Sequence, residues 1–338
     1  MDKITSRFIN RADGRAGAVP ADSARASLMQ AVARAPVLAT VAVLAVLPLI
    51  FPFYSLATNI IIFGLFAAGY NLTFGYTGKL SFGHAAFFGS GSYGCGILIA
   101  QYGLAWPLAL VFGIVLAGVF ALAMGLLASR TRGIYFAMVT LALAQCVYYL
   151  FFHASSLTGG DNGLRGVNVE SIPLGFTTLN LLDPLVKYYF TLVFVAAALA
   201  VLARLLQSPF GAVLEALREN EHRARACGID VERVRVLSLV ISGMICGLAG
   251  ALNAINLSTV SIDSLSYHTS GQVMMITLLG GMGTFFGPFV GSGVFLGIEH
   301  IVTSFTERWQ LIVGLVFIVL VLFFPKGIWG TVLGWIRK

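Results

Sequence analysis

Residues 105–128 read AWPLALVFGIVLAGVFALAMGLLA, without one charged side chain. A helix of about 20 apolar residues crosses the hydrocarbon core of a bilayer, so this stretch predicts a membrane span. The same rule, carried outward, predicts spans near 37–53, 55–74, 83–101 and 134–152. It predicts others near 185–206, 236–257, 270–283, 286–304 and 310–324, ten in all, with eight as the lower bound. Glycines and short breaks in 55–74, 83–101 and 270–304 leave continuous, broken and re-entrant helices open there. The expected fold class is all-α: a polytopic membrane protein whose two five-span halves could form a pseudo-repeat.

Composition points the same way. Of the 338 residues, 58% are hydrophobic and 10% charged, against about 25% charged in an average soluble domain. Only a hydrocarbon solvent removes the need for a polar exterior, so membrane lipid is the first partner implied. The net charge of +7 could suggest nucleic acid, but its distribution argues for topology instead. With the N-terminus in the cytoplasm, ten spans place 18 of the 21 basic residues on the cytoplasmic side. Arg165, Lys187 and Arg308 alone fall outside. That asymmetry is the positive-inside bias, and no nucleic-acid partner is expected. Both termini are then cytoplasmic: residues 1–36 as a basic, disordered tail and 331–338 as a short one. They flank a membrane domain over 37–330, with an external loop near 153–184 and a cytoplasmic loop near 207–235. In the external loop, Gly159-Gly160-Asp161-Asn162-Gly163 can supply several positive-φ positions.

The search for chemistry returns little. There are no paired carboxylates in the apolar segments, no HxxxH spacing, no nucleophile with a base, and no GxxxxGK[ST] phosphate loop. Cys95, Cys146, Cys227 and Cys246 show no metal or disulfide spacing. No catalytic residue, metal or cofactor is expected, and the chain does not read as an enzyme. Polar side chains at membrane depth are functional candidates by default. Asn71, Gln145, Asn253, Asn256 and Gln272 could line a translocation path for a zwitterion or simply bridge helices. His84 reads as a helix-end contact, and Glu299 and His300 as solvated groups at an external helix end. The pairs Gly243/Gly247, Gly287/Gly291 and Gly293/Gly297 are small-residue ridges suited to close helix packing.

The 207–235 loop is the most informative segment. Ser208-Pro209-Phe210-Gly211 marks a break, and Ala212 to Ala226 reads as one helix ending at Gly228. Val213, Leu214 and Leu217 make an apolar stripe ringed by Glu215, Arg218, Glu219, Glu221, Arg223 and Arg225. A helix of that length is marginal alone in water. It must dock on its own membrane domain or on a soluble partner, unless it is a solvated loop that only enforces topology.

SPFGAVLEALRENEHRARACGI, residues 208–229, resembles the coupling segment of LivM-type permeases of branched-chain amino-acid ABC importers. NLTFGYTGKLSFGHAAFFGSGSYG (71–94) and RTRGIYFAMVTLALAQ (130–145) are similar to other blocks of that family. So are TGGDNGL (158–164), GGMGTFFGPFVGSG (280–293) and FPKGIWG (324–330), in the same order. The resemblance implies a bacterial inner-membrane permease subunit without catalysis of its own. It would pair with a second related permease, two cytoplasmic ATPase subunits and a periplasmic substrate-binding protein. Leu214 and Leu217 would then be apolar anchors on an ATPase, and Glu215, Arg218, Glu219 and Asn220 its polar contacts. Lys79 departs from the glutamine that the resemblance leads one to expect. The same architecture could serve urea, short amides or aromatic acids. A self-contained secondary transporter or channel would instead need membrane carboxylates or histidines, which are nearly missing here.

Overall fold

The computed structural model describes residues 36–50, 53–131, 133–169, 171–173, 178–306, 308–324 and 327–336. The basic tail expected over 1–36 therefore lies outside the described residues, apart from Pro36. Inside lipid a free amide finds no water, so each crossing segment must bond its own backbone, and a helix does this. The first set comprises α1 (Pro36–Ile50), α2 (Tyr54–Asn71), α3 (His84–Ala100), α4 (Trp106–Ala128) and α5 (Ile134–His153). After the long loop come α6 (Pro184–Gln207) and two short helices, α7 (Pro209–Glu219) and α8 (Glu221–Ala226). The chain continues through α9 (Val231–Leu257), α10 (Tyr267–Gly280), α11 (Gly287–Thr303), α12 (Trp309–Phe323) and α13 (Gly327–Ile336). Starts are chemically marked. Asp183 accepts the Leu185 N–H at 3.0 Å ahead of Pro184, and Asp230 accepts the Arg233 N–H at 3.2 Å. Caps of this kind are each worth about 1 kcal/mol.

Among the described residues, six segments are long and apolar enough to cross a bilayer: Tyr54–Tyr76, Trp106–Ala128, Ile134–His153, Pro184–Gln207, Val231–Leu257 and Gln310–Thr331. The other expected spans exist as helices but are short: α1, α3, α10 and α11 have 15, 17, 14 and 17 residues. The ambiguous regions resolve differently from one another. α3 is continuous despite its glycines. α2 runs on through a π-helical turn, Leu72–Tyr76, before the chain leaves it. The 270–304 region is broken, with residues 281–286 separating α10 from α11. Residues 331–336, the start of the expected C-terminal tail, are helical as the second half of α13.

α3 fills the middle of the bundle. Phe87, Phe88, Tyr93 and Cys95 are fully buried, and Phe88 stacks on Phe66 of α2 with ring centroids 4.5 Å apart. Its small residues serve close approach rather than a break: Gly91 lies on the Gly247 backbone of α9. Gly243 and Gly247 seat α9 against Ala121 and Ala117 of α4, and Gly291 lies on the Ile276 carbonyl of α10. Gly287 closes the 281–286 turn, where a Cβ would stand 2.7 Å from the Gly281 carbonyl. Gly293 and Gly297 differ from the other two pairs: among the described residues a Cβ on Gly293 would meet Ile60 alone, at 4.0 Å, and one on Gly297 would meet nothing within 4 Å. Outward, α4 exposes Leu108, Val111, Val115, Val119, Leu122 and Leu126, the face a helix shows to lipid.

The loops assort to two ends. At one, Gln101 donates to the Leu157 carbonyl at 2.7 Å, and β1 (Leu164–Arg165) pairs antiparallel with β4 (Thr259–Val260). There too Phe53 meets His300, while β2 (Ser171–Pro173) pairs with β3 (Thr178–Asn180) inside the long loop. Gly159, Gly160 and Gly163 take φ of 76°, 58° and 67°, the positive values their run predicted. Glu299 departs from expectation: it is half-buried, with Oε2 lacking a hydrogen-bond partner among the described residues. At the other end lie residues 77–83, 129–131, α7–α8, the 281–286 turn and the start of α13.

Candidate functional site

Ser208 is extended and Pro209 stands in the first turn of α7, so the chain turns sharply out of α6. The single helix expected over 212–226 is in fact two. Asn220 leaves helical geometry, at φ −159° and ψ 105°, and its side chain accepts the Arg223 N–H at 3.0 Å to start α8. Asparagine is a good cap because its short side chain reaches the free amides of a first turn. Gly228, at φ 85°, follows the end of α8. The apolar stripe faces inward. Leu214 is fully buried in the main core, and Leu217 packs with Ala224 and Val231 in a small cluster of its own. These leucines pack α7 against the chain's own helices, the first of the two docking surfaces the stripe left open. The outward face carries Glu215, Arg218, Glu219 and Asn220, all exposed.

Glu221, the first residue of α8, is the hub of the charge network. Its carboxylate meets Lys79 Nζ at 3.0 Å, Arg225 at 3.6 Å, and Arg235 of α9 in direct contact. Arg235 is buried at 5% exposure and donates to the Ser129 carbonyl at the end of α4 at 2.9 Å. Burial alone would raise the Glu221 carboxyl, but the Lys79 hydrogen bond and the Arg235 and Lys79 charges hold it below its ordinary value. One carboxylate thus joins α8 to the 77–83 loop and to α9. Its partners are far off in sequence or apparently free in a loop full of arginines, so reading the residues missed this cluster.

Arg218 makes the second connection. Its stem lies over Gly78, and its guanidinium lies against Gly283 in the turn between α10 and α11. Clefts of about 260 and 330 Å³ open on either side of Arg218, the first walled by Tyr76, Ala212 and Glu215, the second by Met282, Phe324 and Gly330. Asn71, at the end of α2, holds the same turn. Its Nδ2 donates to the Thr284 carbonyl and its Oδ1 accepts the Gly283 N–H, both at 2.9 Å. The π-helical end of α2 and the 281–286 turn are therefore bonded to each other beneath α7–α8.

The polar residues considered for a translocation path do not converge. Asn71 bridges two helix breaks at the α7–α8 end. Asn256, at the other end, donates to Asn59 Oδ1 at 3.0 Å while its carbonyl accepts from Lys187 Nζ at 3.0 Å. Gln145 is half-buried on α5, with Nε2 unpartnered among the described residues, and Asn253 and Gln272 are half-buried on α9 and α10. His84 is fully buried at the start of α3, its Nε2 within 3.1 Å of Thr73 Oγ1 and 3.0 Å of Ser242 Oγ, a helix-end contact as expected.

Apolar helices joined by short turns at one end, with a charged helix pair seated over those turns, are the parts of a multi-pass membrane protein. The chain belongs to the family described as the branched-chain amino acid transport system / permease component, whose model matches residues 53–322. It is 28% identical over 292 residues to the high-affinity branched-chain amino acid transport system permease protein LivM of Escherichia coli (strain K12), covering 81% of this chain and 69% of that one. It is also 28% identical over 214 residues to the probable LivM permease of Methanocaldococcus jannaschii, covering 61% and 54%. With the LivH permease of Escherichia coli (strain K12) it shares 26% identity over 290 residues, 79% of this chain and 91% of that one. No solved structure matches the chain.

Proposed function

We propose that this chain is one permease subunit of an ATP-driven importer for branched-chain amino acids in a bacterial inner membrane. The reading is carried by one observation, the family match across residues 53–322. The likeness to permeases named LivM and LivH supports a second related permease as partner in the translocation path. Two ATPase subunits bind in the cytoplasm and a periplasmic protein delivers substrate. The chain crosses the membrane ten times with both termini in the cytoplasm, an arrangement supported by the bias of its basic residues. The exposed residues Glu215, Arg218, Glu219 and Asn220 face an ATPase, and their charges set register more than affinity. Reconstitution of the complete importer in vesicles tests the whole reading. ATP-dependent uptake of leucine, isoleucine and valine that requires the binding protein is expected. Uptake by this chain alone on an ion gradient would overturn it.

A further inference from the structure

We propose that the Lys79–Glu221 ion pair is the tie through which α7–α8 moves the interrupted membrane helices, with Lys79 and Glu221 as positioning residues of the transport cycle. This inference rests on the importer reading above.

The argument begins with how weakly α8 is otherwise held. It is six residues long, and Ala224 is its one buried side chain. Alanine buries little area, so apolar packing at the usual 25 cal/mol per Å², or about that, cannot fix its position. Charge does. Arg235, buried beneath Glu221 and bonded to the Ser129 carbonyl, clamps the carboxylate on the α9 side. Lys79 grips the same oxygen from the other side at 3.0 Å. The two side chains of that pair are 20% and 18% exposed, between a solvated pair worth little and a buried one that breaks at high cost.

What Lys79 is attached to gives the pair its reach. It sits between the π-helical turn at Leu72–Tyr76 and the first turn of α3 at His84, and its own N–H bonds the Thr73 carbonyl at 3.1 Å. A π-turn is one of the few places where a helix kinks, and such turns are frequent at functional sites. Pulling Lys79 pulls on that turn. The second interruption follows, because Asn71 at the edge of the π-turn holds both Gly283 and Thr284. Coupling of this kind runs through contiguous contacts to an element able to take two arrangements, and here every link is a named bond.

The test uses the complete importer in phosphatidylethanolamine–phosphatidylglycerol vesicles, with radiolabelled leucine taken up per ATP hydrolysed as the readout. Lys79→Met leaves Glu221 paired with Arg235, so no buried charge is orphaned. It should assemble and hydrolyse ATP while leucine per ATP falls about fivefold or more, the lower end of a typical coupling between sites. Lys79→Ala, which removes the same charge with less bulk, should do likewise, and Lys79→Arg should restore most of the ratio. A merely structural role would lower yield and leave the ratio alone. Either neutral variant assembling with a wild-type ratio, or a loss that Lys79→Arg does not repair, overturns the inference while a coupled wild type keeps the importer reading. A wild-type complex that hydrolyses ATP without leucine uptake overturns both.

Discussion

Asn71 uses both ends of its side-chain amide, donating one hydrogen bond through Nδ2 and accepting one at Oδ1. A helix break frees backbone amides and carbonyls, and near lipid they must be bonded by protein. The Gly283 amide and the Thr284 carbonyl are two such groups, and one side-chain amide satisfies both. Asn71→Ala would leave a donor and an acceptor unpaired, at about 1–3 kcal/mol each where buried. Purified protein carrying that change should unfold at a lower temperature in detergent, and an unchanged midpoint would argue against the bridge. The sequence marked Asn71 as polar at membrane depth and left open whether it met substrate or another helix. Its partner lies more than 200 positions away, so no local pattern could choose between them.

α7 shows what periodicity can and cannot say about an element. The spacing of Val213, Leu214 and Leu217 correctly picks out a sticky stripe, because helical neighbours share a face. It says nothing of which surface the stripe meets. The structure turns Leu214 and Leu217 inward and leaves Arg218 outward, so two substitutions one residue apart should behave differently. Leu217→Asp buries an unpaired carboxylate against Ala224 and Val231, a change of the kind that costs several kcal/mol, and should reduce the yield of assembled protein. Arg218→Glu, on the exposed face beside Gly283, should leave yield intact and abolish leucine uptake by the reconstituted importer. Equal yields for the two variants would contradict the inward placement of Leu217. The break at Asn220 was hidden for a related reason: a cap is recognisable in sequence only when the helix before it is known to end.

For the molecule as a whole, the two-ended sorting of loops makes a topology that can be probed directly. Cys227 is exposed in the α7–α8 end, and Asp161 is exposed in the opposite one. In spheroplasts, a membrane-impermeant maleimide should label Asp161→Cys in a Cys227→Ser background without lysis. It should reach Cys227 only after the membrane is opened. The reverse pattern would invert the proposed orientation. Membrane residence, helical class and the position of the charged loop were all decided by sequence alone. Each depends on composition or short-range periodicity, and lipid imposes those on any chain that crosses it. Only the tertiary structure decided that α3 is continuous, that 281–286 is a break, and that this break lies bonded to the π-helical end of α2 beneath α7–α8. Those facts depend on partners up to 213 positions apart, such as Asn71 with Thr284 and Lys79 with Glu221, which come together only when the helices have packed.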